Sequence, residues 1–191
     1  MNRIHQWYCA SKWWRRHIPP LLKWGTHGID LASADVLELG SGPGLTTDWL
    51  VSRVATLTTI DTDAAAVKAL QNRHPGINAC HGDATALPFT GEQFDLVVCF
   101  TMLHHVPSEA AQDHLFIEAR RVLRPGGAFA GTDSTGGPLF RVGHVGDTMT
   151  LLDPGELADR LLAAGFNEPT VRTRGHDVRW HAERTRAGLP T

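Results

Sequence analysis

The sequence predicts an α/β protein: a doubly wound, Rossmann-like sheet with helices on both faces. Three observations carry that prediction. Val36-Leu37-Glu38-Leu39 is a short apolar run that breaks into Gly40-Ser41-Gly42-Pro43-Gly44 and then enters a helix-compatible stretch, Leu45 to Leu50. Strand-like and helix-like segments alternate from Asp35 onward, the pattern of a mostly parallel sheet. Phe94 to Phe100 is apolar on both faces, as suits a strand in the middle of a sheet covered on each side.

The elements follow in order. Ile4, Trp7, Trp14 and Ile18 recur at helical spacing, and Pro19-Pro20 is expected to end that N-terminal helix. Val36 to Leu39 is the first strand and Leu45 to Arg53 the first helix of the alternating region. Thr56 to Ile60 is a β-branched strand, and Ala64 to Arg73 a helix that stops at His74-Pro75-Gly76. Ile77 to His81 is a third strand and Phe94 to Phe100 the fourth. Pro107-Ser108-Glu109 starts a helix running to about Leu123, and Arg124-Pro125-Gly126-Gly127 turns the chain into a fifth strand, Ala128 to Thr132. A Gly-rich connection, Ser134 to Leu152, precedes a helix that Asp153-Pro154-Gly155-Glu156 starts and Gly165 ends. Thr170–Thr173 and Asp177–His181 fit two further short strands. The expectation is one domain over residues 1–191, with residues 1–30 as a Trp-rich helical extension.

Composition narrows the function classes. With 191 residues the chain can bury one sizeable core. Its 18 Lys+Arg against 20 Asp+Glu give a formal charge of −2, which argues against binding nucleic acid through bulk positive charge. Cys9, Cys80 and Cys99 are odd in number and widely spaced, so they read as packing residues in a reducing compartment, not a disulfide framework. No stretch has the roughly 18 apolar residues that span a bilayer, and no signal-peptide pattern opens the chain; the expectation is cytoplasmic.

The chemistry sits where strands end. Glycines at alternate positions allow a tight turn and close approach of a ligand to the backbone, and in open α/β sheets ligands lie beyond the carboxyl ends of the strands. The expected ligand carries adenosine. Asp61 closes the second strand 21 positions after Gly40, the place for an acid that accepts from both hydroxyls of a ribose. Asp83, after the third strand, can reach an adenine amino group. With Glu38, these acids line one rim. A nicotinamide-dependent oxidoreductase is disfavoured, because its fingerprint needs Gly-x-Gly-x-x-Gly and position 45 is Leu.

On these residues the chain resembles the class I S-adenosylmethionine-dependent methyltransferases of the small Rossmann-like type. The matching blocks are Val36 to Gly44, Thr59-Ile60-Asp61, His81 to Phe89, Phe94 to Phe100 and Arg121 to Gly127, in the family's order and spacing. The resemblance implies a seven-stranded, mostly parallel sheet whose last strand is antiparallel. It implies S-adenosylmethionine as cofactor and S-adenosylhomocysteine as product. It also implies that Gly40, Gly42 and Gly44 lie against the methionine part and that Glu38 serves the ammonium through water. By the same resemblance Asp61 holds the ribose, Thr62 underlies the adenine, Asp83 and Ala84 contact the adenine, and the Phe100-Thr101 backbone accepts from the ammonium.

Methyl transfer from a sulfonium needs an acceptor held in line and, for a hydroxyl or ammonium acceptor, a base. His104 and His105, just past the fourth strand, and His144, in the long connection, are the candidates; a hydrogen-bonded histidine at a strand end is the plainer reading of the first two, and a non-catalytic residue that of His144. Asp133 could orient a substrate or cap a turn. No ligand spacing supports a metal. The expected partner is a small-molecule acceptor, with the chain a monomer or homodimer. The alternatives are a non-catalytic or partner-activating subunit of the same fold, or, if the Trp-rich segment lies on a membrane surface, methylation of a lipid or isoprenoid.

Overall fold

The computed structural model describes residues 12–137, 140 and 149–186. Its centre is a seven-stranded sheet: β1 (Asp35–Leu39), β2 (Thr56–Asp61), β3 (Asn78–His81), β4 (Phe94–Phe100), β5 (Leu123–Ser134), β6 (Asn167–Arg174) and β7 (Asp177–Glu183), in the order β3-β2-β1-β4-β5-β7-β6. β1 to β5 are mutually parallel, and β7 runs antiparallel to both β5 and β6. The helices are α1 (Lys12–His17), α2 (Pro19–Gly25), α3 (Leu45–Leu50), α4 (Ala64–Arg73), α5 (Glu109–Val122) and α6 (Pro154–Ala163).

Side chains alternate across a strand, and here both faces are covered, so the central strands carry apolar residues at consecutive positions. Leu37, Leu39, Val97 and Cys99 face the layer of α5 and α6, where Phe116, Leu157 and Leu161 meet Phe129 and Trp180. Val36, Leu96 and Val98 face the opposite layer, with Ile18, Leu22, Leu50 and Leu70. Local signals set the helix starts as expected. Asp63 accepts from the Ala65 and Ala66 N–H groups, Ser108 from Ala111, and Asp153 from Gly155, with Pro154 at the first position of α6.

Two expectations need correction. Pro19-Pro20 does not simply end an N-terminal helix: it separates α1 from a second helix, α2, which buries Leu21, Leu22 and Gly25. Proline is tolerated in a first helical turn because its missing N–H has no intrahelical partner there. The fifth strand is also longer than expected. Phe94 pairs with Leu123 and Leu96 with Ala128, so Arg124-Pro125-Gly126-Gly127 bulges out between two stretches of one ladder instead of preceding it. Cys99 is buried, Cys80 is half-buried, and both are free thiols. Residues 1–11 lie outside the described residues, as does His144. No helix among the described residues is long and apolar enough to cross a membrane.

Candidate cofactor and acceptor site

The carboxyl ends of β1, β2, β3 and β4 surround a cavity of about 800 Å³, a volume within the usual range for small-molecule and cofactor sites. Its floor is the glycine turn. The Gly40 N–H donates to the Ile60 carbonyl (2.8 Å), which ties the turn to β2. Gly40 has φ +71°, and a Cβ there would stand 2.2 Å from Met102 Cγ. Gly44, at φ +83°, has Arg73 Nη2 2.0 Å from where its Cβ would be. Both positions therefore require glycine for conformation and for space. Around Gly42, by contrast, a Cβ would meet nothing within 4 Å, so the backbone there opens onto the cavity.

Two side chains brace the turn from outside. Arg73, in the last turn of α4, donates to the carbonyls of Pro43 (3.0 Å) and Gly44 (3.3 Å). Asp48 of α3 is hydrogen-bonded to Arg15 (3.0 Å) and His74 (2.7 Å) and forms an ion pair with Arg73 (3.0 Å), tying α1 and α4 to the helix that follows the turn. Sequence reasoning missed Arg73; a basic residue in a last helical turn was its only local mark.

Most of the expected cofactor residues line this cavity: Gly40, Gly42, Asp61, Thr62, Asp83, Ala84, Phe100 and Thr101. Asp61 accepts from the Gly42 N–H at Oδ2 (2.7 Å) and from the Asp63 N–H at Oδ1 (2.9 Å), so its carboxylate is oriented by the turn it faces. Asp83 is exposed and accepts from the Thr85 N–H and hydroxyl, both at 2.8 Å. Thr101 sits at φ +50°, an uncommon conformation for a β-branched residue. Its N–H donates to the Thr132 carbonyl (2.8 Å), which holds the strained corner at the end of β4.

Glu38 and Gly44 stand apart from the lining residues. The Glu38 side chain is buried behind the turn, where its carboxylate accepts from the hydroxyls of Thr46 and Thr47; Thr46 is the one that reaches the cavity wall. Burial pushes the Glu38 pKa up to about 7, against the pull of the two threonine hydrogen bonds, and the Asp61 and Asp48 charges add to the rise.

The β4–β5 rim is built differently. A short 3₁₀ turn, Leu103–His105, places His105 on the cavity wall and turns His104 inward. His104 and Asp133 are both buried, and His104 Nδ1 lies 2.6 Å from Asp133 Oδ1. The other carboxylate oxygen accepts from the His104 backbone N–H (3.2 Å), and Oδ1 also accepts from the Ser134 N–H (2.6 Å). Burial alone would raise the Asp133 pKa, but the His104 charge and these hydrogen bonds outweigh it and hold the carboxyl below its ordinary value. The rings of His104 and His105 are 4.1 Å apart, and Gln112 of α5 donates to the Leu103 carbonyl (3.0 Å). Ile18, Met102, Val106, Pro107, Ala111 and Leu115 make this end of the cavity apolar; the sequence did not assign them to the site. Among the described residues no group of His, Cys, Asp or Glu is arranged to hold a metal ion.

Comparisons with known proteins agree with this fold. Residues 37–131 match the family model described as a methyltransferase domain. The ubiquinone biosynthesis O-methyltransferase of Pseudomonas fluorescens is 33% identical over 132 residues, 62% of this chain and 56% of that protein. The phthiotriol/phenolphthiotriol dimycocerosates methyltransferase 1 of Mycobacterium ulcerans is 36% identical over 123 residues, 62% of this chain and 44% of that protein. The chain thus spans about half the length of these relatives. An S-adenosylmethionine-dependent methyltransferase structure from Thermotoga maritima superposes with a TM-score of 0.76 at 17% identity, over 95% of this chain and 98% of that one.

Proposed function

Since the chain belongs to the class I S-adenosylmethionine-dependent methyltransferases, we propose that it transfers the cofactor's methyl group to a hydroxyl on a small, largely apolar molecule. The observation that carries this reading is one cavity with two unlike ends. One end is a glycine turn with an oriented acid, Asp61. The other is an apolar wall bearing a histidine, His105.

The residues fit the cofactor, because the Gly42 backbone faces open space and Asp61 presents a carboxylate beside it. When bound, S-adenosylmethionine supplies an electrophilic methyl on a sulfonium. Asp61 accepts from the ribose hydroxyls, Thr62, Asp83 and Ala84 frame the adenine, and the Phe100-Thr101 backbone accepts from the ammonium. Glu38 acts on that ammonium from behind Thr46. The apolar wall excludes water and aligns the acceptor, and alignment supplies much of the rate in such a displacement. The cofactor would supply its methyl group to the acceptor oxygen, and an imidazole nitrogen of His105 would take up the hydroxyl proton. Asp133 holds His104, and with it the turn that carries His105. The relatives named for ubiquinone biosynthesis and for dimycocerosates support an apolar acceptor.

The test is to incubate the full chain with methyl-labelled S-adenosylmethionine and fractionated cell extract, with separate solvent-extractable, protein and nucleic-acid fractions. Label in a solvent-extractable product, with stoichiometric S-adenosylhomocysteine, supports the reading. Label only in protein or nucleic acid, or no S-adenosylhomocysteine formed with any fraction, contradicts it.

A further inference from the structure

On the sheet face that packs against α2, three residues of three adjacent strands stand in one row. Thr132 of β5 is in register with Arg179 of β7, and Arg179 with Arg172 of β6. The Thr132 hydroxyl is fully buried with no hydrogen-bond partner, and Arg179 is only 9% exposed. Arg179 Nη2 donates to the His27 carbonyl at 3.3 Å, while its Nε has no partner. Among the described residues no carboxylate pairs with Arg179 or Arg172. Arg174, on the same face, is already engaged by Asp177 (3.7 Å) and stacks on Trp24 (4.9 Å). His181, also on this face, adds no negative charge.

Two features make the row costly for the protein alone. Like charges directly opposite on antiparallel strands repel, and a buried charge without a counter-charge is strongly disfavoured. Burial, and then the Arg172 charge, press the Arg179 pKa down from the usual guanidinium range. An oxyanion would relieve both penalties, because guanidinium forks match carboxylate and phosphate oxygens and the buried hydroxyl can add a third donor.

We propose that Thr132, Arg179 and Arg172 form a binding site for the phosphate or carboxylate group of a small molecule. The site stands independently of the methyl-transfer reading.

The test uses the full chain at fixed ionic strength, titrated calorimetrically with inorganic phosphate and, separately, with benzoate and with phosphatidylglycerol vesicles. Saturable one-to-one binding of either anion is expected. Arg179→Gln should weaken it about tenfold or more, and Arg172→Gln and Thr132→Val should weaken it by smaller factors. S-adenosylhomocysteine affinity should stay the same in all three, which separates failure here from failure of the cofactor site. Should Arg179→Gln not fold, the exposed Arg172→Gln and the isosteric Thr132→Val carry the test. No saturable binding of either anion overturns the proposal. So does binding indifferent to these substitutions, or binding only to phosphatidylglycerol vesicles.

Discussion

The two rims of the cavity are made in opposite ways. At the ends of β1, β2 and β3 the working groups belong to backbone turns and partly exposed acids: Asp61 accepts from N–H groups of the glycine turn and of its own loop, Asp83 from its own loop, and both still face the cavity. At the ends of β4 and β5 His104 is buried and paired with Asp133, and of the two neighbouring histidines His105 is the one that reaches the wall. The first rim can lose a functional atom without losing the fold. In the second, function and folding rest on the same atoms.

Substitutions can break that contrast. The largest effect is expected for Asp133→Ala, which strips the acceptor from the His104 imidazole and from two backbone N–H groups. Breaking one half of a buried pair should cost about 3–5 kcal/mol, read by urea unfolding, with S-adenosylhomocysteine affinity of the folded fraction nearly unchanged. Asp61→Ala should do the reverse. Losing two charge-assisted bonds of about 1.5–3 kcal/mol each should weaken S-adenosylhomocysteine binding about a hundredfold or more by calorimetry, with stability changed by less than about 1 kcal/mol.

Glu38 sharpens the comparison, since it is a buried acid lying directly behind the open rim. Its folded pKa, about 7, lies above the ordinary 4.5. The stability this gives is therefore complete below the unfolded value and is lost as pH rises through about 7. Ligand-free protein should lose about 2–3 kcal/mol relative to Glu38→Gln between pH 4 and 8, measured by unfolding at each pH. Cofactor binding should release a proton near pH 7, since the ammonium favours the ionised carboxylate. The smallest effect is at Thr101. Thr101→Gly relieves the positive φ and should raise stability by about 0.5 kcal/mol, measured by thermal unfolding.

The same division explains what the sequence could show. The first rim was legible because turns made of glycine and acids act through neighbours in the chain: Gly40 to Gly44, Asp61 and Asp83 announce themselves within a few residues. The central strands were legible for a similar reason, since burial on both faces leaves β4 continuously apolar. The second rim depends on contacts between distant residues. Nothing local pairs His104 with Asp133, and nothing local puts Met102 under Gly40 or Arg73 on the Pro43 carbonyl. The bulge at Arg124 to Gly127 was hidden by its own turn residues, which read as a boundary although the ladder continues on both sides. α2 was hidden because its two prolines carry opposite meanings at the end and at the start of a helix.

The central claim is that the cofactor rests in the elbow between β1 and α3 with its sugar on Asp61. A crystal structure of the full chain grown with S-adenosylhomocysteine tests it most directly. The account predicts the ribose hydroxyls within hydrogen-bond distance of Asp61 and the methionine portion along Gly40 to Gly42. Ligand bound elsewhere, or an elbow that stays closed by its own side chains at saturating ligand, would contradict it.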